Sequence, residues 1–474
     1  MIETIEPTTD PLADLTPGVR AAVERGALAT AAEQAQRTRM RAMRFDTIAV
    51  HGVYGMAAAL ANQGSIIEPA YLSPAQHFVD SDAMEAALAY LAPAWGYSRI
   101  ANPTFHYLEE TLALLETYGT GLTASTCVTG SGMAAIHLAT NAFLSVGPDA
   151  PDGRPNVVVS AKCYGGTFML FNRYAAERGV DVRWVTDPLD LDAWASRIDG
   201  ETRFVFGEMP SNPALAIFDI EAVAGLAHEA GLPLIIDSTV ATPALLRPLA
   251  LGADVVIHSM SKGITGSGLA LGGAIIARHE IPSRVGPDDM RADFASHLKM
   301  LPARDLGPAL APFNALMALS DLRTVRIRMD QWSRSAERVA RFLAGHPGVE
   351  RVGYPGLEDH PGHAFAKRDM ILVDGDADGQ TTNRYGPLMS FVVRGGGAAA
   401  RRTFDHLELI WRATDLGRVK SIATIPAIST HQQQGDAGRA LAEVPPGQIR
   451  LSVGGEHPDD VIADLAAALE AADH

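Results

Sequence analysis

The sequence predicts an α/β protein in which a mostly parallel, doubly wound sheet is followed by a smaller C-terminal α+β region. Three observations carry that expectation. Between about residues 105 and 280, six short β-branched runs alternate with amphipathic stretches. A long helical pattern then runs from Pro308 through Arg341, and the remainder mixes apolar strand patterns with a closing helix. Alternation of strand and helix is the mark of parallel sheets covered on both faces.

Taken in order, residues 1–44 alternate acids and bases among many alanines, and Pro17 to Met43 predicts one long polar helix, an arm and not a domain. The strand runs are Asn156-VVVS, Asp181-VRWV, Arg203-FVFGE, Leu232-PLIID, Asp254-VVIHS and Gly272-GAIIA, with helical patterns such as Ile220 to Ala230 between them. Ligands of such sheets sit at the carboxyl ends of the strands. Farther on, Glu350-RVGYPG, Leu388-MSFVVRG and Gln448-IRLSVGG read as strands, and Pro458 to Ala472 as the last helix. The polar, glycine-rich stretch 374–386 lacks the terminal Glu of a calcium loop and reads as a solvated loop.

Composition narrows the function classes. The 474 residues suffice for a large core, and 47% apolar with 20% charged residues is a globular balance. Lys+Arg 39 against Asp+Glu 55 gives −16, and no basic run occurs, so nucleic acid is not an expected partner. Cys127 and Cys163 form neither a disulfide framework nor a zinc motif; no metal is expected, and a reducing compartment fits best. The acidic start MIETIEPTTDPLADL has no apolar signal region. The longest uncharged stretch, Gly263 to Ala277, is glycine-broken and shorter than the roughly 20 residues that span a bilayer. A cytoplasmic protein without membrane contact is expected.

Chemistry concentrates at a few strand ends. Gly130-SGMAAI puts a Gly-Ser-Gly turn before an alanine-rich helix, whose N-terminus is either a simple cap or an anion site. Asp237 closes one strand run, and Ser259, Ser261 and Lys262 follow the next. Singly, each reads as a solvated strand end. Together, a lysine for a Schiff base, a carboxylate for a pyridine nitrogen and donors for a phosphate form the set that pyridoxal 5′-phosphate needs. Gly266-SGLALGG runs into a strand, the wrong context for a dinucleotide, and Ser131 lacks the frame of a nucleophile elbow.

Ordered motifs extend from Phe45-DTIAVHG to Ile449-RLSVGGE: Tyr97-SRIANPT, Ser131-GMAAI, Tyr164-GGT, Glu208-MPSNP, Asp237-STVATP, Gly252-ADVVIHSMSK and Ser429-TH. On these the chain resembles the cysteine/methionine-metabolism (trans-sulfuration) family of pyridoxal-phosphate enzymes, with the aspartate-aminotransferase-like fold type I. The resemblance implies an N-terminal arm and dimer-contact segment at 1–95, a cofactor domain at 96–307, and a linker helix with a small domain at 308–474. It implies that Lys262 holds the cofactor and shuttles protons, Asp237 pairs with the ring nitrogen, and Tyr164 stacks on the ring as acid or base. Ser131, Gly132, Met133, Ser259 and Ser261 would hold the phosphate, joined from a second subunit by Tyr97 and Arg99. Asn212 would lie near the cofactor's 3′-oxygen, and Arg450 would clamp the carboxylate of an amino-acid substrate, with Tyr97 also near that substrate. A dimer completing the site, and a tetramer of two such dimers, are implied.

The implied reaction removes the α- and β-protons so that a group on Cγ departs, leading through a vinylglycine-type intermediate to γ-replacement or γ-elimination. Gly268-LALGG, Arg304-DLGPALAPFNA and Val352-GYPGLEDHPGHAFAKR resemble the O-acetylhomoserine sulfhydrylase branch, and Gly166 stands where methionine γ-lyases tend to carry cysteine. The alternative is a specialised γ-lyase; a β-lyase is a further possibility. Departures cluster at the pocket: Gly263 replaces the usual aromatic, and Asp415 in Thr414-DLGRVKSI stands where the family favours Ser or Asn. A carboxylate there would repel a substrate carboxylate unless protonated or paired, with Arg412 and Arg418 the candidate partners.

Overall fold

A computed structural model describes residues 15–93, 95–144, 154–375 and 380–472. The first fourteen residues of the expected arm, and 376–379 of the expected loop, lie outside the described residues. Seven strands, β1 (Ala124–Thr129), β2 (Asn156–Ser160), β3 (Asp181–Val185), β4 (Thr202–Glu208), β5 (Leu234–Asp237), β6 (Val255–His258) and β7 (Gly273–Arg278), form one sheet in the order β1-β7-β6-β5-β4-β2-β3. The pairs β2–β3, β2–β4, β4–β5 and β5–β6 are parallel. The expected runs are all strands, but the last of them, β7, is antiparallel to both neighbours. Residues 259–272 return the chain without a helical crossover, which only an antiparallel pairing allows. Edge strand β1 went unrecognised because its ASTCVT sequence is Ser/Thr-rich and lacks a Val/Ile run.

Both faces of this sheet are dry. Val158, Val205, Ile236, Val256 and Ile276 belong to one apolar cluster, while Val157, Val159, Phe206, Ile235, Ile257 and Ile275 belong to the other. That alternation is the period-2 geometry of a strand, with both sides apolar because helices cover both. The helix Pro103–Glu116 starts at Asn102, whose side chain accepts from the Thr104 N–H, with Pro103 in the first turn. Its last residue, Glu116, reaches His258 of β6 at 2.6 Å in full burial, fixing that helix beneath β6.

The smaller sheet contains β8 (Val349–Gly353), β9 (Leu388–Val393), β10 (Trp411–Arg412), β11 (Ile422–Thr424) and β12 (Gln448–Ser452), in the order β10-β11-β12-β9-β8. Its pairings are antiparallel apart from β10–β11, and the closing helix Pro458–Ala472 lies at the expected residues. The single helix expected over 308–341 is two, Pro312–Leu322 and Val325–Gly345. Arg328 fills the break. Its guanidinium donates to the Asp321 carbonyl that ends the first helix and to the carbonyls of Gly263 and Ile264, just past Lys262. At the N-terminus, Pro17–Arg41 is helical as expected and packs on the chain: Val19 and Ala22 on Ala86 of the helix Ser81–Leu88, with Arg37 donating to the Ala124 carbonyl of β1 at 2.9 Å.

Phe143 stacks on Phe294 with centroids 4.8 Å apart in the second apolar cluster, beneath the helix that opens at Gly132. Phe143→Ala is expected to cost about 3–5 kcal/mol and Phe143→Leu distinctly less. Chemical denaturation checks both, and equal midpoints for Ala and parent would show that this stack is not holding the layer.

Candidate active site

Parallel strands deliver the reactive groups to one rim. β4 ends on Glu208 and β5 on Asp237, directly paired; after β6 the chain enters the turn carrying Ser259, Ser261 and Lys262. Facing them is the N-terminus of the helix Gly132–Leu144, capped by Ser131, whose Oγ accepts from the Ala134 N–H at 3.1 Å. A Cβ on Gly132 would lie 2.6 Å from the Ser259 Cβ, so glycine alone allows this approach. The result is a cavity of about 210 Å³ with Ser131, Gly132 and Met133 on one side, Asp237, Ser259, Ser261 and Lys262 on another, and Tyr164, Asn212 and Arg450 closing it. A larger cavity of about 260 Å³, lined by Lys162, Arg351, His360 and Gln448, contains neither Lys262 nor Asp237 and so lacks the reactive groups.

Two buried carboxyls stand side by side at this rim. Burial pushes Asp237 up, against hydrogen bonding from Thr239, whose N–H reaches Oδ1 at 3.0 Å. Burial, and then the Asp237 charge, pushes Glu208 far higher. Burial and the neighbouring charge both act against ionising the pair at once, and the upward push is the larger on Glu208. Glu208 is also a clamp: its two oxygens accept the N–H groups of Tyr164 at 2.6 Å and Asn212 at 2.7 Å. No role for Glu208 or Thr239 was read from the sequence. The signal for the first was there, an acid closing the fully buried strand β4.

Across the cavity the charges form a chain. Lys262 Nζ meets Asp415 Oδ1 at 2.5 Å, and Arg418 Nε meets Asp415 Oδ2 at 2.5 Å. Burial pushes Lys262 down, with Asp415 pulling back up. Burial alone would raise Asp415, but Lys262 and Arg418 outweigh it and hold the carboxyl below its ordinary value. Of the two partners expected for Asp415, Arg418 is one; Arg412 points away, donating to the Asp405 carbonyl at 2.7 Å. Arg450 is fully buried and burial lowers it to about 10. Its amino groups donate to Asn212 Oδ1 at 3.2 Å and to the carbonyls of Thr414 and Asp415 at 3.2 and 2.6 Å, while Nε has no partner among the described residues. A buried guanidinium whose direct hydrogen bonds here go to neutral oxygens has the chemistry to bind a carboxylate.

The other residues singled out in the sequence divide. Tyr164 lines the cavity, and burial raises its phenol, so it stays protonated. Ser261 lines it too, with its hydroxyl exchanging hydrogen bonds with the carbonyl and N–H of Gly272. Tyr97 and Arg99 lie outside the cavity of their own chain: Tyr97 is 46% exposed, and Arg99 sits over its ring and donates to the Arg304 carbonyl. Cys163, beside Tyr164, is buried, which raises its thiol well above the ordinary value and makes it a packing residue.

A lysine and a carboxylate on adjacent strand ends, facing a glycine-cradled helix N-terminus, define a fold-type-I enzyme of the pyridoxal-phosphate class. The residues fit that group: the Lys262 amine, the buried Asp237 carboxyl for a ring nitrogen, and the helix N-terminus at Gly132 with Ser259 and Ser261 for a phosphate. Residues 46–470 match the family model "Cys/Met metabolism PLP-dependent enzyme", and the chain belongs to that family. It is 36% identical over 428 residues to an O-succinylhomoserine sulfhydrylase of Pseudomonas aeruginosa, covering 90% of this chain and 95% of the relative. An L-methionine gamma-lyase of Fusobacterium nucleatum is 34% identical over 427 residues, covering 90% and 97%. Among solved structures, a Campylobacter jejuni chain assigned as an O-acetylhomoserine (thiol)-lyase matches with TM-score 0.79 and 33% identity, over 90% of this chain and all of the other; it carries a pyridoxyl-lysine monophosphate.

Behind Tyr164 lies the Ser429-Thr430-His431 turn. His431 is fully buried, its Nδ1 lies 2.9 Å from Thr430 Oγ1, and burial lowers it to about 4 from 6.5. His360 is likewise lowered to about 4. Between these values the unfolded chain binds more protons than the folded one, so stability falls as pH drops from about 6.5 to about 4. Melting temperatures across that window check this, and His431→Asn is expected to flatten the slope; a slope insensitive to both histidines would contradict it.

Proposed function

We propose that the protein catalyses γ-replacement on an O-acylhomoserine by a sulfur nucleophile. The observation carrying this reading is one cavity lined by Lys262, Asp237 and the buried Arg450, whose Nε has no hydrogen-bond partner among the described residues. Two sulfhydrylases among the relatives support the choice of substrate class. A second reading, γ-elimination, is favoured by the methionine gamma-lyases, whose similarity to this chain is nearly the same.

When bound, pyridoxal phosphate withdraws electrons from the Cα of an attached amino acid. The chain's own residues do the rest. Arg450 takes the substrate carboxylate, and Asn212 holds Arg450 in place. Asp237 keeps its charge against the ring nitrogen, while the Gly132–Met133 amides and Ser259 receive the phosphate. Lys262, its amine kept easy to deprotonate by burial, takes the proton from Cα and handles that at Cβ. The protonated phenol of Tyr164 serves as donor on the same face.

We further propose that a second copy completes the site. Leu269, Leu271, Leu306 and Phe313 are exposed apolar side chains, and Leu271 borders the cavity itself. In this reading a second copy covers them and contributes the tyrosine and arginine of its Tyr97-SRIANPT motif to the phosphate, in a dimer that pairs again as a tetramer. The division at 1–95, 96–307 and 308–474 and a cytoplasmic location belong to the same reading. Among the described residues, no helix is long and apolar enough to cross a membrane.

The test is a product assay. O-acetyl- or O-succinylhomoserine with sulfide is expected to give homocysteine, and no keto acid without sulfide. Keto acid and ammonia in the absence of sulfide would transfer the assignment to elimination, and absence of both would overturn the proposal. Borohydride reduction and peptide mass mapping are expected to place the cofactor on Lys262; Lys262→Ala should lose that adduct and at least about a hundredfold in turnover.

A further inference from the structure

The Asp415 carboxylate is shared between two cations that hold it by different oxygens, Lys262 on Oδ1 and Arg418 on Oδ2. Neither Asp415 nor Arg418 is loose. Arg418 Nη1 also donates to the Thr265 carbonyl at 3.0 Å, the Leu416 N–H reaches Asp415 Oδ1 at 2.9 Å, and the Gly417 N–H reaches Ser452 Oγ at 2.8 Å. Only the lysine has somewhere else to go, into the cavity it lines.

We infer that Asp415 and Arg418 act as an opposed pair that sets the protonation of Lys262, and with it the pH at which the protein takes up its cofactor. The inference rests on Lys262 being the attachment point. Asp415 favours the ammonium form. Arg418 disfavours it twice, by occupying half of the carboxylate and through its own charge. The remaining groups facing the amine are Arg450 of β12, which adds positive charge, the neutral phenol of Tyr164 ahead of the helix Gly165–Arg178, and Asp237 and Glu208 at the ends of β5 and β4. Single changes at 415 or 418 leave these in place, so the pair makes signed demands. Removing Asp415 lowers the pKa of the lysine; removing Arg418 raises it.

Attachment needs the neutral amine. Its lone pair forms the bond to the aldehyde carbon of pyridoxal phosphate, the C=N bond replaces C=O, water leaves, and the proton shed by the ammonium passes to solvent. The uptake rate therefore climbs with pH until the lysine is neutral. The experiment follows uptake of pyridoxal phosphate by full-length apoprotein across pH, with borohydride trapping and mass mapping to Lys262. Asp415→Asn and Asp415→Ser are expected to move the acid limb down by about one pH unit, and Arg418→Gln to move it up by a similar amount. Asp415→Glu and Arg418→Lys, which keep the charges, should stay near the parent. Profiles that coincide with the parent, or that shift in one common direction, overturn the pairing. Absence of any adduct on Lys262 in the parent would instead overturn the cofactor reading. A fold defect common to all variants would appear as a common loss of rate with no opposite shifts, which also counts against the pair.

Discussion

The register of three parallel strands governs this molecule. With Glu208 opposite Asp237, and Asp237 opposite Ile257, the sheet delivers two buried carboxyls and then the lysine turn to one rim in fixed order. A slip of one residue would exchange the two faces of a strand and put Ile236 where Asp237 stands. The register is secured from within: β4, β5 and β6 are buried throughout, so each residue that slipped would place the wrong side chain in a packed layer. What the rim can do chemically follows from packing that takes no part in the chemistry.

The cavity wall opposite the rim is built on other terms. The loop Thr414–Lys420 lies on the lysine turn so closely that a Cβ on Gly417 would come 2.8 Å from the Gly263 nitrogen. Gly417 itself has φ 66°. The left-handed glycine at 417 thus permits the contact that goes with Asp415 and Arg418 lying on Lys262, whereas a Cβ at 263 would meet the Thr242 methyl at 2.8 Å on another side. The small sheet holds the loop from behind: the Gly455 N–H donates to the Val419 carbonyl at 2.8 Å and the Ser421 N–H to Glu456 at 2.7 Å.

Much of this could be read from the sequence, for identifiable reasons. The Val/Ile runs at 156, 203, 232, 254 and 272 are strands because nothing but a buried sheet accommodates them, and the residues that follow them sit at the rim by topology. Direction was less legible, since β7 has the same composition as the parallel strands and only the loop before it decides its sense. Charge pairing was least legible. Arg412 and Arg418 are equivalent as letters near Asp415, and only the turn at Gly417 determines that Arg418 faces inward. Glu208 escaped notice because a hydrogen bond to a backbone N–H leaves no mark on the partner's identity.

The division of labour between the two sheets bears on how such a protein acquires a new preference. The cofactor side is fixed by strand register and by the Gly132–Ser259 contact, where a single methyl group would intrude. The opposing side rests on a loop that touches Lys262 and Arg450 but supplies no residue to the buried β4–β6 layer. Changes in residues 414–420 can therefore alter charge and shape next to the Lys262 amine while the β4–β6 rim and the Gly132–Ser259 contact stay as they are. An Asp–Arg pair is well suited to this, because it adds two charges whose sum is zero. It imposes a field at short range on one nitrogen, without the long-range repulsion that a lone carboxylate would present to an incoming amino-acid carboxylate.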